Sequence, residues 1–102
     1  MRTITFNVIQ QRIKPTNSTS FVYSGTDNYL NLEFSFDESW DDCVKGISFG
    51  SKKVAKLLED NNVTVPAEGF DENELSFYLV GKKKNYRVQS QTFTIKLHKE
   101  VF

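Results

Sequence analysis

Several things are scarce in this chain, and each scarcity removes a class of explanation. There is one Cys, Cys43, so a framework of disulfides within the chain is excluded, and a reducing compartment is the simple expectation. There is one His, His98, and with a single Cys it falls short of the four ligands of a structural zinc site. The five Gly are scattered singly, so no glycine-rich phosphate loop exists. No apolar run approaches the roughly 18 residues of a membrane-crossing helix, and Met1–Phe6 lacks the apolar stretch of a signal peptide. Charge of one sign is missing too. Thirteen basic and thirteen acidic residues cancel, which leaves no global field to draw the protein to nucleic acid or an anionic membrane.

What is abundant is aromatic. Nine Phe, four Tyr and one Trp in 102 residues favour strands, where flat side chains pack across a pleated face. A chain of this length forms one domain, residues 1–102, with a single core. Leu30, Leu32, Phe34 and Phe36 alternate with polar residues and predict a strand over Tyr29–Phe36. Similar alternation predicts strands over 3–8 and 92–98; 44–49 and 75–80 also read as strands, with shorter ones at 21–23, 63–65 and 86–88. Gln10–Lys14 extends the first strand until Pro15, and Asp37–Asp42 and Ala67–Asn73 read as turns. Lys52–Asp60 mixes helical spacing with hairpin punctuation from Gly50-Ser51 and Asn61-Asn62, and is read as a strand. Gly81–Asn85 reads as a loop. About eight short strands with frequent turns predict an all-β, Ig-like antiparallel β-sandwich. Its inner face is expected to hold Leu30, Leu32, Phe34, Phe36, Trp40, Ile47, Phe49, Val65, Phe77, Leu79, Phe93 and Ile95.

Two charge clusters stand out. Asp37, Glu38, Asp41 and Asp42 surround Trp40, but they lack the spacing and glycine of a calcium loop and read as a solvated turn. Lys82, Lys83, Lys84 and Arg87, interleaved with Tyr86, form the densest basic patch, which reads either as a lysine-rich tip that keeps an edge soluble or as a contact surface for an acidic partner. A Cys43–His98 nucleophilic pair requires the fold to bring the two together, and the carboxylates near Cys43 disfavour its thiolate. Trp40 reads as a core plug. As an exposed ring it would instead be a sugar platform.

The order of these segments is also familiar. Phe34-Ser35-Phe36-Asp37-Glu38-Ser39-Trp40-Asp41-Asp42, then Lys45-Gly46-Ile47-Ser48-Phe49, resembles small β-sandwich domains of tail-fibre and baseplate proteins from phages of Gram-positive bacteria. Asp60–Glu68, with its Val65-Pro66 corner, and Leu75–Gly81 match in order, while Gln89-Ser90-Gln91-Thr92 is a looser match. The resemblance covers roughly residues 28–99. It implies a non-enzymatic attachment or assembly module located in the virion or the host cytoplasm. The receptor-binding part of such fibre proteins is not in this sequence, which implies a stand-alone accessory protein of the tail, a fragment, or reuse of the fold. The expected partners are other phage tail proteins, a host protein, or further copies of the chain, with no membrane, nucleic acid, metal or cofactor. Two alternatives accompany this reading: a small inhibitor that occludes a host nuclease or defence protein, and a carbohydrate-binding module. For the inhibitor, the Trp40 turn and the 82–87 segment would be opposed contact surfaces.

Overall fold

The computed structural model describes residues 1–50 and 54–99. Nine strands among them form two sheets packed as a β-sandwich. The first sheet is built from β1 (Arg2–Ile9), β2 (Arg12–Pro15), β3 (Leu30–Phe36) and β6 (Asn62–Thr64), in the order β2-β1-β3-β6. The second contains β4 (Val44–Phe49), β5 (Val54–Leu57), β7 (Glu74–Lys83), β8 (Tyr86–Gln89) and β9 (Phe93–Lys96). Its order is β5-β4-β7, and both β8 and β9 lie along the far edge of β7, one at each end. Pairing is antiparallel throughout the second sheet, as expected. In the first sheet β1 and β3 run parallel, with Phe6 opposite Phe34, a departure from the all-antiparallel expectation.

The chain reverses sooner than its pattern suggests. Rather than prolonging β1, Gln10-Gln11 make a two-residue turn, with Gln10 at φ 56°, and β2 returns alongside β1 with Pro15 as its last residue. Parallel pairing then needs a crossover. The segment after β2 continues down the edge of β1: the Asn17 side chain bonds Thr5 N–H and Thr3 C=O as a neighbouring strand would. Arg2 then clamps the carbonyls of Ser18 and Phe21 through its two guanidinium nitrogens. Phe21–Tyr23 is not the strand expected. Phe21 sits at φ 59°, Val22 is buried, and Tyr23 makes one parallel bridge to His98.

Val54–Leu57 resolves the ambiguous segment as a strand paired with β4, while Ser51, Lys52 and Lys53 lie outside the described residues. The turn after it places Asp60 and Asn61 at φ 51° and 62°. Both are residue types that tolerate the left-handed region, and Glu59 and Asn62 exchange both backbone hydrogen bonds across them.

Side chains from the two sheets meet in an aromatic layer. Phe6 of β1 stacks on Phe34 at 5.2 Å and meets the rings of Phe77 and Phe93 edge-on at 5.6 and 5.3 Å. Ten of the twelve expected core residues are buried, and Phe36 and Phe93 are half-buried. The core also takes in β1, beyond the residues expected from the sequence: Ile4, Phe6 and Val8 are fully enclosed because β1 is central in its sheet. Ile13, Val22, Val63, Phe70 and Leu75 complete the core. Phe6 touches three rings across both sheets, so Phe6→Ala is expected to lower stability by about 3–5 kcal/mol in urea denaturation. A loss near 1 kcal/mol would mean that the inter-sheet layer closes without it.

Candidate interaction surface

All nine candidate contact residues, eight charged ones and Tyr86, gather at one end of the sandwich, on adjoining elements. Val8, which ends beside Phe36, carries the chain into the Gln10 turn, and β3 leads directly into Asp37 and a 3₁₀ turn, Glu38–Trp40. The Asp37 carboxylate is internally committed. One oxygen accepts the Ser39 N–H at 3.1 Å and caps the 3₁₀ turn, and the other accepts the Gln10 N–H at 2.8 Å. Asp37 therefore acts as a structural cap. Glu38, Asp41 and Asp42 are exposed. Among the described residues, no three His, Cys, Asp or Glu side chains converge as a metal site would require.

Trp40 is fully buried, and its indole N–H donates to the Gln10 carbonyl at 2.7 Å. Its ring lies 5.0 Å from Phe36 and occupies space left free on β7 by Gly81, where a Cβ would come within 2.8 Å of Trp40 Cε3. Trp40 is thus the core plug expected of it, and the exposed ring that the carbohydrate alternative asked of Trp40 is missing.

The lysine run is not a loop. β7 extends to Lys83 and only Lys84-Asn85 turn, with Asn85 at φ 59°. Strand geometry therefore separates the lysines by face. Lys83 lies 4.9 Å over the Tyr86 ring, and its ammonium donates to the Asp41 carbonyl at 3.0 Å. The Tyr86 hydroxyl donates to the Ser39 carbonyl at 2.7 Å. Lys83 and Tyr86 thus tie the basic hairpin to the acidic turn, so the two clusters adjoin rather than oppose one another. Tyr86 is thus engaged through both its hydroxyl and one face of its ring. Lys82 and Arg87, directly opposite each other across the hairpin, project from the outer face of the second sheet.

The outer face itself was not legible as a site. Leu57, Gly46 and Val80 form one row across β5, β4 and β7, with Ala55, Ser48 and Tyr78 in the next. These residues line a groove of about 370 Å³, flanked by Leu57 and Val44 at 68 % and 64 % exposure. The only sequence signal for it is that Val44 and Leu57 fall on the face opposite the buried Ile47 and Phe49.

Cys43 and His98 are kept apart. Cys43 precedes the pairing of Val44 with Lys82, whereas His98 follows that of Lys96 with Glu74, at the other end of β7. The intervening strand separates them by on the order of 25 Å, so they form no nucleophilic pair. His98 instead stacks on Phe21 at 5.1 Å.

Fold and surface together define a two-sheet β-sandwich closed at one end by a tryptophan plug, with an apolar groove and a cationic pair on one outer face. Scanned against known protein families, curated proteins and solved structures, the chain matches none.

With Trp40 enclosed, its fluorescence is expected to be blue-shifted and little quenched by iodide or acrylamide. Emission near that of free indole, with full quenching, would place the ring at the surface.

Proposed function

We propose that the chain is a non-enzymatic binding module that works through protein–protein contacts, as a structural or assembly part of a phage tail or baseplate. The observation that supports it best is the outer face of the second sheet, where Val44 and Leu57 stay exposed beside a groove of about 370 Å³. Apolar side chains held on a rigid sheet and grouped together mark contact surfaces, whereas single exposed apolar residues do not. The phage assignment rests on the resemblance of the strand–Trp turn–strand run, which falls on β3, the 3₁₀ turn and β4. In this reading the sandwich positions the face, and multi-copy neighbours supply the affinity by repetition.

The test is affinity capture with the tagged chain from source cells in which phage production has been induced, beside a Leu57→Asp variant. Leu57 is exposed, so the variant is expected to fold normally. Recovery of tail or baseplate proteins by the parent chain, and their loss with Leu57→Asp, is the expected result. Stoichiometric recovery of one host nuclease or defence protein, with no virion proteins, would replace this reading with that of an inhibitor. Equal recovery by both chains would remove the outer face as the contact surface.

A further inference from the structure

We infer that the outer face of the second sheet takes an acidic segment of its partner, seated by a bulky apolar side chain over Gly46 and by carboxylates against Lys82 and Arg87. The inference rests on the binding-module reading and specifies the chemistry of the partner. Two observations carry it, and each is a feature that costs the fold something.

The first is Gly46. It lies in the middle of β4, where glycine weakens a strand and leaves nothing to pack. Its backbone does not require glycine: a Cβ there would meet the Lys56 carbonyl oxygen at 3.4 Å and Leu57 Cδ2 at 3.9 Å, both ordinary contacts. The missing side chain therefore serves no internal packing. Its effect is to open the floor of the groove between Leu57 and Val80. Glycine in a strand interior also marks places where another chain approaches closely.

The second is the Lys82–Arg87 pair. The two are direct cross-strand partners, and like charges in that position destabilise a hairpin. Among the described residues neither has an ion-pair partner, and Arg87 bonds only the neutral Gln89 side chain, at 2.9 Å. A carboxylate supplied from outside would relieve the repulsion and gain from both cations at once. The distance between the two features also fits one segment. The Lys82–Arg87 row is two residues along β7 from the Val80 row, or roughly 7 Å. In an extended partner that separates an apolar residue from a carboxylate two positions away, both on one face. Nucleic acid fits less well, since the Tyr86 hydroxyl is bonded to Ser39 and the Lys83 ammonium covers one face of its ring beside the cations.

The experiment is an NMR titration of the full chain with a synthetic peptide that alternates Leu and Glu, beside versions with Gln or Lys in place of Glu. Expected is binding of the Glu peptide alone, with shifted amides at Val44, Leu57, Val80, Lys82 and Arg87, weakening steeply between about 50 and 300 mM salt. Lys82→Glu should weaken that binding by about tenfold or more while leaving Tm unchanged or raised by about 1–6 °C, because it converts the repulsion into a cross-strand ion pair. Gly46→Ala should likewise keep Tm and weaken the peptide. The inference is overturned if the Gln or Lys peptide binds as well as the Glu peptide, if an oligonucleotide displaces it, or if Lys82→Glu leaves binding unchanged. Failure here, with virion proteins still captured and still lost in Leu57→Asp, would leave the binding module standing and reject only its acidic partner.

Discussion

The hydrogen bond from the Trp40 indole to the Gln10 carbonyl links the two ends of the first sheet's central strands, and the surrounding geometry depends on it. Gln10 is held in a left-handed turn that its side chain does not favour, and it is fixed from both sides, by Asp37 at its N–H and by Trp40 at its carbonyl. The same indole presses against the site of Gly81 on β7, so one residue reaches from a connecting turn into both sheets. Once Trp40 is seated, Ser39 and Asp41 present their carbonyls to Tyr86 and Lys83. The hairpin that displays Lys82 and Arg87 is thereby locked to the plug.

Two glycines on neighbouring strands express opposite demands. Gly81 faces inward, and the fold needs it because a methyl group would collide with Trp40. Gly46 faces outward, and the fold does not need it, since a methyl group fits. Lys83 and Lys82 divide in the same way. Lys83 is consumed by contacts within the chain, while its neighbour on the other face is left beside a like charge. Along one strand, then, alternation assigns residues to stability on one face and leaves the other for a partner. The sequence runs these together as a single lysine cluster, and only the pleat separates them.

This explains what could be read from the residues and what could not. β3, β7 and β9 are legible because each alternates core-facing apolar residues with a period of two. The burial of Trp40 was also legible, since a lone large aromatic beside Phe36 has few better places to go. The Gln10-Gln11 turn was not, because it carries neither glycine nor asparagine and owes its shape to Asp37 and Trp40, 27 and 30 residues away. Parallel pairing of β1 with β3 was hidden for a related reason: it depends on Asn17 and Arg2 holding a crossover against the sheet. The end of β7 is hidden in the sequence because a lysine run suits a loop and an outward strand position equally well. The groove went unseen because it consists of one absent side chain framed by residues from three strands.

A double-mutant cycle on Gly81→Ala and Trp40→Phe tests most directly whether the plug organises this end of the sandwich. Trp40→Phe keeps a ring in the core but removes the part of the indole nearest Gly81. Gly81→Ala is predicted to cost about 1–3 kcal/mol in the parent chain and much less beside Phe, a coupling above about 1 kcal/mol in urea denaturation. Costs that add to within about 0.5 kcal/mol would mean that the indole and β7 are not in contact and that the plug does not organise this end of the sandwich.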